Sequence, residues 1–292
     1  MSLPDSIIVL DCVTHLEAGH KGAVAYCGSH GGAYSAYYAA SRGISGVIFN
    51  DAGIGRERAG VAGLALLETL GVPGAAISHV SARIGDGKDG VARGVLSTVN
   101  GPAARHGLKP GQSCLDALML LHKAASGPSP APEPFEETRV QAPDVHGWFT
   151  KVIVMDSIHL VKPEDKWQVI VAASHGGVWG GRPESAIEPR IFACVCNDAD
   201  RGIDSAGTAC LPALDQQGIA AACASAFSCR IGDGRSLWEH GYISTINETA
   251  RHHGAMIGQS TKEYAAAMVK VRDGAIRGAQ IRLEAAKDAL FE

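Results

Sequence analysis

Two copies of one short motif, Ser29-His30-Gly31-Gly32 and Ser174-His175-Gly176-Gly177, carry the residue types best suited to chemistry. Each follows an apolar run that reads as a strand. Paired glycines after a strand let the backbone approach a ligand closely and aim N–H groups at an anion. The adjacent histidine suits general acid–base catalysis, and the serine suits a nucleophile or hydrogen-bond donor. Gly28-Ser29-His30-Gly31-Gly32 is not a GxSxG nucleophile elbow, because its serine falls one position off. The competing reading is a glycine turn whose histidine bonds a carbonyl.

Two further motifs are also written twice. Asn50-Asp51-Ala52 and Asn197-Asp198-Ala199 follow apolar runs; Asn and Asp there serve catalysis or binding, or else Asx turns and helix caps. The copies then diverge, Gly53-Ile54-Gly55 against Asp200-Arg201-Gly202, so a half that had lost activity should show it here. Arg83-Ile84-Gly85-Asp86-Gly87 and Arg230-Ile231-Gly232-Asp233-Gly234 place a planar guanidinium at a strand end, where it would clamp a carboxylate or phosphate. The alternative is an ion pair, Arg83 with Asp86 and Arg230 with Asp233, bracing a glycine turn.

These residues define an expected site. His30, Ser29, Asp51 and Asp86 are the candidate catalytic groups. Arg83, Asn50, Gly31 and Gly32, with His175, Asn197, Asp198, Arg230 and Asp233 from the second copy, are the candidate substrate-binding groups. His30, Asp51 and Asp86 could also supply a mixed nitrogen–oxygen site for Mn²⁺, Mg²⁺ or Zn²⁺, although no HExxH or close ligand pair supports a divalent metal. Gly53-Ile54-Gly55 followed by Ala59-Gly60 only loosely matches a dinucleotide fingerprint, and no Walker lysine motif is present.

The motifs belong to an internal repeat. Residues 11–32 align without gaps on 156–177, and residues 50–117 align without gaps on 197–264. In the longer segment 28 of 68 positions are identical, which reads as two copies of one domain. Between them, residues 127–143 hold five prolines and few apolar side chains, as an extended linker would. The expected organisation is an α/β repeat over 1–126, a Pro-rich linker over 127–147, and a second repeat with a C-terminal helix over 148–292.

Within each repeat, strand and helix signals alternate. The fold expected is an internally duplicated pair of three-layer α/β units with mostly parallel sheets, related by pseudo-twofold symmetry. Continuous apolar runs at 46–49 and 191–196 suit strands buried on both faces. Residues 7–10 and 23–28, joined by a polar turn at 17–21, read as an antiparallel pair, which would put Asp11 and Asp156 outside the crevice. Helical spacing covers 60–70 and 207–214, with Gly71 and Gly218 where a helix-ending glycine stands. Residues 75–81 and 220–228 read as strands. Ser97-Thr98-Val99-Asn100 and its partner at 244–247 read as turns capping short helices. Gln112-Ser113 and Gln259-Ser260 read as helix starts, and 262–291 as a helix that Asp273-Gly274 interrupts. Ligand crevices of open parallel sheets lie outside the carboxyl ends of the strands, where the three motifs should converge.

Composition bounds the function classes. Of 292 residues, 46% are hydrophobic and 19% charged, and the formal net charge is −4 with no basic block, which disfavours a nucleic-acid partner. No apolar run approaches bilayer length, the first residues lack signal-peptide character, and the eight cysteines form no CxxC pair; a cytoplasmic location and no membrane partner are expected. No cysteine recurs at the matching position of the other copy, which argues against a two-cysteine mechanism. Small-residue runs such as 220–225 suggest close packing between the halves and leave room for a homo-oligomer. The function expected is an enzyme acting on a small anionic metabolite, a hydrolase of amide or ester bonds using histidine acid–base chemistry and an arginine clamp. The alternative is a non-catalytic small-molecule-binding or regulatory protein.

Overall fold

A computed structural model describes residues 3–187 and 190–288. The chain is α/β and builds two mixed, mostly parallel sheets. In the N-terminal half the order in sequence is β1 (Ile7–Leu10), β2 (Val24–His30), α1 (Ala33–Ser41), β3 (Gly46–Asn50), α2 (Gly63–Thr69), β4 (Gly74–Ile77), α3 (Gly87–Arg93), β5 (Leu96–Val99), α4 (Gly101–Arg105) and α5 (Cys114–Ala124). The strands lie side by side as β1-β2-β3-β4-β5, all parallel except β5. The C-terminal half adds β6 (Arg139–His146), β7 (Lys151–Met155), β8 (Val169–His175), β9 (Ala193–Asn197), α6 (Cys210–Gln216), β10 (Ala220–Ala224), α7 (Gly234–His240), β11 (Ile243–Ile246), α8 (Glu248–His252) and α9 (Thr261–Asp288). Strands β7 to β11 repeat the order and directions of β1 to β5, and β6 pairs antiparallel on the outer edge of β7.

Both faces of each sheet are covered, which is why its strands read as unbroken apolar runs. On the first sheet Ala25, Val47 and Phe49 pack against α1 and α2, while Tyr26, Ile48 and Ile77 pack against α5. On the second, Val154, Val171 and Val195 face α7 and α9, while Ile170, Cys194 and Cys223 face α6. Among the described residues helix α1 has no α-helical counterpart in the second half; short 3₁₀ turns at Trp179–Gly181 and Pro183–Ser185 follow β8 instead. Among the described residues no helix is long and apolar enough to cross a membrane.

Several local expectations are corrected. Strands β1 and β2 are parallel, because the connection is long enough for a crossover and its Val13 and Leu16 are buried at the start of the return path. Residues 97–99 belong to strand β5 and their counterparts to β11, while Asn100 and Asn247 do cap helices by accepting from the N–H groups of Ala103 and Ala250. The strands at 75–81 and 220–228 stop at Ile77 and Ala224, where turns begin. The last part of the Pro-rich segment forms β6, its Pro143 tolerated on an edge strand at an irregular register. Helix α9 runs unbroken through Asp273-Gly274, since Asp273 turns its carboxylate onto the N–H groups of Trp148 and Phe149 and the hydroxyl of Thr150. Residues 289–291 of that predicted helix lie outside the described residues.

Candidate functional site between the halves

The carboxyl ends of the two sheets face one another, so the loops beyond them become a seam. At its centre three repeat-matched pairs, Ala52 with Ala199, Ala59 with Ala206 and Ile84 with Ile231, form one buried apolar cluster. Backbone hydrogen bonds cross the seam in matched fashion: Arg56 N–H to the Ala226 carbonyl at 2.8 Å, and Ile203 N–H to the His79 carbonyl at 2.9 Å. The Asn-Asp-Ala loops carry this junction. Ala52, Ile54, Ala199, Asp200 and Arg201 all take left-handed backbone angles, with φ between 47° and 62°. Such conformations cost non-glycine residues roughly 1–2 kcal/mol each and persist only where surroundings fix them. Asn50 and Asn197, fully buried, fix them by accepting from the N–H two residues on, at 2.9 Å in both loops.

The predicted site residues divide into two groups. Asp51 accepts from Gly53 N–H and from the backbone and Nδ1 of His79; Asp198 accepts from Asp200 and Ala226 N–H and the Ser244 hydroxyl. Asp86 and Asp233 cap α3 and α7. Arg83 pairs with Asp86 at 3.1 Å and reaches across the seam to Asp204 at 3.6 Å. Arg230 pairs with Asp233 at 2.7 Å and crosses to Glu57 at 2.8 Å. These groups brace the loops and the junction, and none of them lines the cavity described next. His30, Asp51 and Asp86 do not converge, and among the described residues no group of three His, Cys, Asp or Glu side chains is arranged as a metal site.

Ser29, His30, His175 and Ser174 do gather. They line an inner cavity of about 70 Å³ between the halves, together with Gly176 and Gly177. Gly32 N–H donates to His30 Nδ1 at 3.1 Å, and Gly177 N–H donates to His175 Nδ1 at 3.0 Å. An Nδ1 that accepts leaves the proton of a neutral imidazole on Nε2. Burial, and for His30 also the neighbouring His175, lowers the two pKa values to about 3 and about 4, so both rings are neutral near pH 7. Each ring faces the Arg-Ile-Gly-Asp-Gly loop of the other half: a Cβ on Gly232 would stand 3.1 Å from His30 Cε1, and one on Gly85 would stand 3.4 Å from His175 Cε1. Ser29 Oγ accepts from Val13 N–H at 2.9 Å and lies 3.5 Å from Cys12 Sγ, and its hydrogen bonds involve no base.

Residues outside the expected set complete the cavity. Cys12 and Thr14 follow β1, Tyr34 opens α1, and His159 and Trp179 come from the 3₁₀ turns of the second half. Glu137 enters from the Pro-rich segment, its Oε2 3.0 Å from His159 Nε2. Asp156 joins the wall because β7 is parallel to β8. Its Oδ2 accepts from Thr138 N–H at 2.6 Å and its Oδ1 from Gly234 N–H at 2.8 Å. Asp11, at the matching place, accepts from Gly87 N–H at 2.9 Å. The recurrence of Asp11 and Asp156 was a usable signal. Cys12, Tyr34, Glu137, His159 and Trp179 do not recur between the copies, so matching the repeats could not find them.

His79 holds the seam electrostatically. Its Nδ1 is 2.9 Å from Asp51 Oδ1 and its Nε2 is 3.1 Å from Asp200 Oδ2. Carboxylates only accept, so both nitrogens carry protons and the ring is an imidazolium. The Asp51 hydrogen bond raises the pKa of His79 against the opposing effect of burial. Burial pushes Asp51 up, but its bonds from His79 and Ser97 hold the carboxyl below its ordinary value. Because the folded His79 binds its proton more tightly than the unfolded chain does, the stabilisation is complete below about pH 6.5 and fades as pH rises through the raised value. Ala226 occupies the matching position on the same turn, so His79→Ala fits the backbone. The variant is expected to lose about 1–3 kcal/mol at pH 6, with the deficit narrowing at alkaline pH, as read by urea unfolding across pH.

No protein-family model matches the chain, and neither the curated proteins nor the solved structures contain a significant match.

Proposed function

We propose that this protein is an enzyme that transfers protons on a small molecule held between its two halves, hydrolysis of an amide or ester being the reaction its groups suit best. The observation that carries the reading is the pair His30 and His175. His30 is buried and His175 partly so, both are neutral and tautomer-locked with Nε2–H free to donate, and both line one cavity. A neutral imidazole that donates from Nε2 can polarise a carbonyl or stabilise a developing oxyanion. The matched strand orders, seam contacts and histidine geometry further support descent of the two halves from one duplicated unit, docked about a pseudo-twofold axis.

The arginines support an anion clamp poorly, since acidic side chains from both halves already occupy them. The commitment of Ser29 Oγ to Val13 N–H favours water over a serine nucleophile. It also favours, as a second reading, a receptor that binds without turnover. A panel of small amides and esters separates the two by substrate depletion. With a substrate in hand, His30→Ala and His175→Ala are each expected to lower kcat by about 10²–10⁴-fold. Full activity in both variants would refute the assignment.

A further inference from the structure

We infer that the cavity recognises a small molecule through a protonated amine, with Glu137 as the receiving carboxylate. The inference rests on the reading of this cavity as the substrate site and names the class of ligand it takes. The Glu137 side chain is only 10% exposed, and its buried Oε1 has no donor at hydrogen-bonding geometry among the described residues, the Tyr34 hydroxyl lying beside the carboxylate without closing that bond. A carboxylate oxygen in that position forfeits several favourable interactions with water, and a donor entering the cavity restores them. The other oxygen is already engaged by His159.

The charge of the wall points the same way. Two carboxylates, Glu137 and Asp156, line the cavity, and no Lys or Arg does so among the described residues. His30 and His175 are neutral near pH 7 and offset neither carboxylate. Aromatic rings stand beside the acid: Tyr34 stacks on His159 at 5.5 Å, and Trp179 lines the same space. Ring faces and a carboxylate together suit an ammonium group.

Size and shape narrow the ligand further. About 70 Å³ accepts a head group of a few heavy atoms, well short of the 150 Å³ that holds an aromatic ring. A wider space of about 280 Å³ adjoins it, sharing His159 and Trp179 and walled by Ile158, Val161 and Ile187, with Glu184 also on its lining. The amine therefore sits inside, and a short apolar body lies in the outer space.

The test is calorimetric titration of the intact protein with butylammonium, butanol and butyrate at constant ionic strength. Butylammonium is expected to bind at least tenfold more tightly than butanol, with butyrate weakest. Methylammonium should bind more weakly than butylammonium, by about threefold to fourfold for each methylene removed. Glu137→Gln should abolish the preference for ammonium over alcohol while leaving the unfolding temperature near that of the wild type. If that variant does not fold, the wild-type series decides alone. Butyrate binding as tightly as butylammonium, no binding by any probe, or a preference that survives Glu137→Gln would overturn the inference. Ammonium binding without turnover of any amine-bearing amide or ester would refute the enzyme reading and leave this one standing. Turnover of a purely anionic substrate, with no ammonium preference, would do the reverse.

Discussion

Alanine in place of Gly60 is expected to destabilise the protein by about 4 kcal/mol or more, a large share of the stability of a typical domain. A Cβ at this position would lie 2.1 Å from the Asp51 carbonyl oxygen and 3.2 Å from that of Ile54. Both obstacles are backbone, so neither can swing aside. The loop they belong to is already wound left-handed and pinned by its own asparagine, which leaves no slack to absorb a shift. Gly207 is set against Asp198 in the same way, with a Cβ again 2.1 Å from the carbonyl oxygen, and Gly207→Ala should fail to a similar degree. Gly19→Ala is the control: nothing lies within 4 Å of the added carbon, and a change within about 0.5 kcal/mol is expected. Expression yield and chemical denaturation of the three variants check the series. A Gly60→Ala protein as stable as the control would mean that the seam is looser than the packing shows.

Acid should unfold this protein largely through His30 and His175. Their folded pKa values, about 3 and about 4, lie below the ordinary value near 6.5. In that interval the unfolded chain binds protons that the folded chain refuses. Stability is therefore fully present above about pH 6.5 and lost as pH falls, at about 1.4 kcal/mol per unit for each ring. Between pH 6.5 and 4 the two together cost on the order of 5 kcal/mol. His79 acts in the opposite sense, since its raised value makes its contribution largest in acid. Stability measured against pH should thus fall on the acid side less steeply in a His30→Gln, His175→Gln double variant than in the wild type. Equal slopes would show that the rings are hydrated and titrate normally.

Much of this arrangement was legible in the residues, and what was hidden has identifiable physical causes. The repeat, the apolar runs and the helix-ending glycines Gly71 and Gly218, both at positive φ, located the strands and several helices, because burial on both faces and left-handed caps leave direct marks on sequence. The Ser-His-Gly-Gly copies stand at the ends of β2 and β8, and their histidines line the cavity. The direction of β2 relative to β1 was not legible from the polar residues at 17–21. The better indicator was Val13 and Leu16, apolar side chains that a solvent-exposed hairpin turn would not bury. The charged motifs were harder to assign. Arg83 and Arg230 do stand at loops beyond strand ends, but no local pattern distinguishes an arginine awaiting a ligand from one awaiting acids 121 and 173 positions away, Asp204 and Glu57. Glu137 sits in a stretch whose prolines and charges match any tether, and only its neighbours in space mark it.

That stretch is a wall as well as a connection. Phe135 rests on Tyr34 and Tyr37, Glu137 lines the cavity, and Thr138 is tied to Asp156. Swapping the segment for a flexible spacer of equal length would preserve the reach between the sheets yet delete a side of the cavity. A nick just upstream of Phe135 should be far better tolerated than one just downstream of it, which would detach this side of the cavity while leaving both sheets in place.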